Sequence, residues 1–115
     1  MEMHTPEIEI IVHEEHIPVR GNAMASDDPD FDKQVEDKII ADFNNGNEWA
    51  WCTVEVRASF RGLTASDFLG CCSYASEEQF REPGGYFDDM VSQATEELAK
   101  QVKELQGVEI KLSLK

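Results

Sequence analysis

The sequence predicts an α+β fold: a two-layer sandwich in which two helices cover one face of a four-stranded antiparallel sheet. Three observations predict it. Four segments alternate apolar and polar residues with the period of a strand. Two segments repeat apolar residues with the period of a helix. Their order along the chain is β-α-β-β-α-β, which a split βαβ arrangement with right-handed crossovers satisfies, as in a ferredoxin-like fold. A variant strand order under the same two helices is the alternative, because the connection after the first strand is long enough to reroute the chain.

The first strand is Pro6 to Val12, where Ile8, Ile10 and Val12 share one face. His13 to Ala25 reads as a long connection. Pro18 bars a central strand there because proline cannot donate to a ladder, which leaves at most a short edge strand over His16 to Arg20. A helix begins near Asp28, with Ser26, Asp27 or Asp28 as its cap and Pro29 at the first helical position. Phe31, Val35, Ile39 and Phe43 recur every four residues along it, and Asn44-Asn45-Gly46 ends it.

Glu48 to Phe60 carries the clearest alternation. Ala50, Cys52, Val54, Val56, Ala58 and Phe60 form one face; Trp49, Trp51, Thr53, Glu55, Arg57 and Ser59 form the other. Arg61-Gly62 signals a hairpin turn, and Leu63 to Tyr74 supplies the returning strand. Its small residues, Gly70 to Ser73, predict something packed closely against them, such as a helix. A second helix runs from Tyr86 to about Leu105, with Phe87, Met90, Val91, Ala94, Leu98, Val102 and Leu105 on one stripe. Gln106-Gly107 stops it, and Val108 to Leu114 alternates as a fourth strand.

The 115 residues make one domain, 1–115, long enough to bury a core without metal or disulfide staples. A hydrophobic fraction of 41% and a mean hydropathy of −0.46 are ordinary for a globular protein. The charge is not. Asp and Glu number 24 against 10 Lys and Arg, a formal net charge of −14. That field repels nucleic acid and anionic membrane, which both need basic residues, and it favours basic protein surfaces. Direct nucleic-acid binding and membrane association are therefore not expected. No apolar run spans a bilayer, the first residues do not read as a secretory signal, and three cysteines make no disulfide framework. A cytoplasmic protein with reduced thiols is the expectation.

No catalytic, metal or cofactor motif survives inspection. His13 and His16 in His-Glu-Glu-His stand at i, i+3 beside a strand end, where a zinc helix needs i, i+4. Cys52, Cys71 and Cys72 lack C-x-x-C spacing and any adjacent basic residue that would activate a thiol, so they read as packing residues. Gly84-Gly85 precedes a helix, but Asp88 and Asp89 in its first turn would repel a phosphate. The chain is not expected to be an enzyme.

Two groups carry the functional expectation. Asp28, Asp32 and Glu36 stand at i, i+4 steps on the first helix, about 6 Å apart, with Asp37 beside them. Such a row either is a solvated face or imitates the phosphates of nucleic acid and occupies a basic channel on another protein. Trp49 and Trp51, with Glu55, project from the strand face opposite the core row. If the helices cover that core row, paired tryptophans stand on the open face of the sheet, where they are costly unless covered. Either the His13–Ala25 segment folds over them, or they anchor a partner or a homodimer.

Four segments carry a resemblance: Ile17-Pro18-Val19-Arg20-Gly21-Asn22; Gly46 to Cys52; Asp67 to Tyr74; and Gly84 to Met90. Together they resemble small acidic proteins of phage and plasmid type. The resemblance implies a mobile-element context, in which such proteins inhibit host-defence nucleases of anti-restriction or anti-CRISPR kind, some as DNA mimics. The expected function is thus a non-enzymatic acidic protein that binds a basic, nucleic-acid-binding protein surface. The alternative is a homo-oligomeric accessory protein, dimeric through Trp49 and Trp51, whose acidity serves only solubility.

Overall fold

The computed structural model describes residues 5–23 and 26–113, with side chains as far as Leu105. The elements are β1 (Glu7–His13), α1 (Pro29–Asn44), a 3-10 turn (Glu48–Ala50), β2 (Cys52–Phe60), β3 (Leu63–Cys72), α2 (Glu77–Phe80) and α3 (Tyr86–Ser113). The sheet has three antiparallel strands in the order β1-β2-β3. The fold is α+β, as the alternation and helical periods predict, but it is not the four-stranded sandwich with two helices on one face.

Two differences separate it from that expectation. First, α3 does not stop at Gln106-Gly107. It runs to Ser113, and the expected strand Val108 to Leu114 is helical as far as it is described. Leu98 is the last buried residue among those of α3 whose side chains are described, and the Gln101 amide donates to the Thr64 carbonyl near the start of β3. Beyond that point the helix has carried the chain past the hairpin end of the sheet. Alternation specifies a strand only where an edge lies alongside to pair with.

Second, of the two long helices described, α3 alone lies along the sheet. It packs over β2 and β3, while α1 packs against the 3-10 turn. The ferredoxin-like arrangement is overturned by the same two facts. Nor do residues 16–20 form an edge strand. Residues 14–19 carry no strand, and a turn at 19–23 is closed by hydrogen bonds from Asn22 and Ala23 N–H to the Val19 carbonyl at 3.1 and 3.2 Å.

The hairpin matches its sequence signal. Arg61 and Gly62 both take positive φ, 49° and 83°, the two-residue turn whose twist suits antiparallel strands. The β2 face expected to be core is core. Cys52, Val54, Val56 and Ala58 are fully buried, under Met90, Ala94 and Leu98 of α3. At its other end an aromatic cluster closes the layer. Phe80 of α2 lies 5.5 Å from Trp49, 5.3 Å from Tyr74 and 5.7 Å from Phe87, ring centre to ring centre.

Candidate interaction surface

Each acid expected on the open face of α1 has a partner within the chain. Asp28 is the N-cap, and its side chain accepts from the N–H groups of Asp30 and Phe31 at 3.0 and 3.2 Å. Asp32 accepts from the Ser26 hydroxyl at 2.6 Å and from its N–H. Glu36 is buried; it accepts the Gly21 N–H at 2.7 Å and a guanidinium N–H of Arg20 at 3.2 Å. Asp37 accepts from the same guanidinium at 2.5 Å. The row therefore clamps the 19–23 turn and the helix start instead of standing free. Because Glu36 is buried, a ladder of three exposed carboxylates along α1 does not exist.

The tryptophans are not on an open sheet face. Alternation from Glu48 assumes a strand, but β2 starts at Cys52, and the 3-10 turn before it rotates Trp49 into the core layer. Trp49 is 9% exposed and Trp51 5%. The Trp51 indole N–H donates to the Ile17 carbonyl at 2.7 Å, so the connection after β1 covers it. Neither ring is available as an anchor or as a dimer face.

Glu55 does lie on the face opposite α3, and it is buried there. Its carboxylate accepts from the Ser66 hydroxyl at 2.5 Å and Arg57 Nε at 3.0 Å, and stands 2.7 Å from His13 Nε2. Burial works against the charge, but the hydrogen bonds from Ser66, His13 and Arg57 and the Arg57 charge outweigh it, holding the carboxyl at about 2. Beside this network Phe68 stands 59% exposed, its ring 6.3 Å from that of His13.

A second carboxylate organises the end of this face. Cys52 pairs with Cys72 and Val54 with Leu69, so Gly70 and Cys71 together oppose Thr53 in a β-bulge, with Cys71 at a φ of 53°. Glu15 reaches across to it. Oε1 accepts the Cys71 N–H at 2.6 Å and the Thr53 hydroxyl at 3.0 Å; Oε2 accepts the Ile17 N–H at 3.1 Å. These bonds, led by that from Cys71, hold the Glu15 carboxyl below its ordinary range. Gly70 thus admits a carboxylate, since a Cβ there would lie 3.1 Å from Glu15 Oε1, while Cys72 packs in the core cluster with Phe80 of α2 and Met90 of α3, the helix contact its small size predicts. Glu15 had no signal in the sequence beyond its place in His-Glu-Glu-His.

The exposed apolar groups of α1 are its phenyl rings. Phe31 and Phe43 are 46% and 45% exposed, and only Ile39 of their row is buried. Residues four apart drift by about 40° around a helix, so a strict i, i+4 row turns away from its contact at both ends. The same helix also carries exposed acids, Asp30 and Asp37 among them.

His13 and Glu15 are committed to different partners, and among the described residues no three His, Cys, Asp or Glu side chains gather as metal ligands. All three cysteines are free. Burial pushes the Cys52 thiol up to about 12 and the Cys72 thiol to about 11, away from reactivity at neutral pH. No described helix is long and apolar enough to cross a membrane. No known protein family, curated protein or solved structure matches the chain.

Proposed function

We propose that the chain is a non-enzymatic interaction protein that binds a basic protein surface through the exposed residues of α1. The observation that carries this reading is the pair of half-exposed rings, Phe31 and Phe43, on a helix bordered by acids in a molecule of net charge −14. Aromatic side chains at a surface gain most from a partner that desolvates them, and the acid excess selects a basic one. The phenyl rings take the anchoring role that the sequence suggested for Trp49 and Trp51. Asp32 and Asp37 stand on the same helix and Asp28 caps it, while Glu36 and Glu55 are buried and hold the fold. The mobile-element resemblance puts basic nuclease complexes of a host cytoplasm first among partners, with inhibition as the outcome.

Affinity capture from a host lysate at low and high salt, followed by titration of the purified partner, tests the reading. Binding should weaken steeply as salt screens the acids. Phe31→Ser with Phe43→Ser should cost at least about tenfold in Kd with the unfolding midpoint little changed. Affinity indifferent both to salt and to these substitutions would sink the proposal.

A further inference from the structure

We propose that the outer edge of β1 pairs with β1 of a second copy of this chain, antiparallel about a two-fold axis at Ile10, joining two three-stranded sheets into one of six. Among the described residues β1 has a strand neighbour on one side only, and none of its backbone groups bonds a residue outside the sheet. An unpaired edge is a template for another strand unless something blunts it. The opposite edge is blunted, because β3 carries the Gly70–Cys71 bulge and lies under α3. β1 pairs with β2 without a bulge over all seven residues and holds no proline within its span.

The side chains agree. Ile8, Ile10 and Val12 face the core but are only partly buried, since α3 packs over β2 and β3 and leaves the β1 side of the layer thinly covered. A second β1 alongside would extend that apolar row.

Charge selects the register. Pairing must keep apolar faces together, so only shifts by two residues compete. Centred on Ile10, Ile8 meets Val12 of the second copy, Glu9 meets Ile11, and Glu7 meets His13. Apolar pairs fill one face, and each Glu has an apolar or basic neighbour on the other. Centred on Glu9, two glutamates would stand directly opposite, which is destabilising. Centred on Ile11, the ladder would run beyond β1 and bring Glu14 opposite Ile8 on the apolar side. The centred register also brings the start of the second β1 beside a cleft of about 290 Å³ between Val12, Phe43 and Trp51. Two molecules of net charge −14 repel at long range, so this pairing should tighten with salt, opposite to the binding of a basic partner.

Sedimentation equilibrium should give twice the 13.0 kDa chain mass in the high micromolar range, with the dimer fraction rising from low to high salt. Register is read by cross-linking on a Cys71→Ser background. Cβ atoms directly opposite lie about 5 Å apart, so Ile10→Cys should oxidise to a covalent dimer. Ile8→Cys and Glu9→Cys, which do not meet themselves across the axis, should remain largely monomeric on denaturing gels. A monomer at every concentration and salt overturns the proposal, and so does a dimer that cross-links as readily through residue 8 or 9 as through residue 10.

Discussion

Glu55 is the residue on which the open side of the sheet depends. A carboxylate taken out of water on a strand is costly unless its lone pairs are filled, and here Ser66, Arg57 and His13 fill them from all three strands. The sequence shows Glu55 only as a polar position in an alternating strand; register places Ile11 and Phe68 directly beside it. Its carboxyl is lowered from an ordinary 4.5 to about 2. A depressed folded-state value means the network's stabilisation is complete above the unfolded value and is lost as pH falls from there through about 2. Glu55→Gln should therefore lower stability by about 1–3 kcal/mol at neutral pH, the cost of leaving bonded partners unmatched. The gap between wild type and variant in denaturant midpoints should close as the pH falls toward 2. A gap of constant size across that range would mean that ionisation of Glu55 contributes nothing.

Among the elements, the hairpin and β1 were legible because each alternates against a partner that exists. The turn at Arg61-Gly62 and the buried row of Cys52, Val54, Val56 and Ala58 follow directly. The bulge in β3 was not legible. Gly70-Cys71-Cys72-Ser73 signals only that little room is available, and what fills the room is a carboxylate from a residue far away in the chain. That contact makes a sharp prediction. Gly70→Ala brings a Cβ to 3.1 Å from Glu15 Oε1, so the carboxylate must move and loosen its bond to the Cys71 N–H. Glu15→Ala leaves that N–H without its acceptor, at about 1–3 kcal/mol. With Glu15 truncated the added methyl meets only the Thr53 hydroxyl, at an ordinary contact distance of 3.8 Å. The double variant should be more stable than the sum of the two single changes predicts, by about 0.5–1 kcal/mol or more. Strict additivity in denaturant unfolding would show that Gly70 is small for another reason. The placement of α1 failed to show in the sequence for a related cause: a buried polar residue, Glu36, ties it to the 19–23 turn through Arg20 and Gly21, and an apolar stripe points only to apolar neighbours.

For the whole molecule, the sequence pattern implied a sandwich and the structure is a short sheet with a long helix laid across it. Twenty-eight residues of α3 extend about 42 Å, well beyond the hairpin end of the sheet, which Gln101 already reaches. Composition could not show this, since the same residues returning as a fourth strand would have the same charge, hydropathy and length. Shape separates the two. The Cα radius of gyration is 19.0 Å and the molecule extends 68 × 26 × 24 Å, whereas a compact domain of this length has a radius of gyration of about 13 Å. Small-angle scattering extrapolated to zero concentration, where self-association does not contribute, should return a value near 19 Å. The pair distribution should have a long tail at distances that a sandwich cannot reach. A radius near that of a compact domain would require α3 to break near Gly107 and the rest of the chain to return to the sheet.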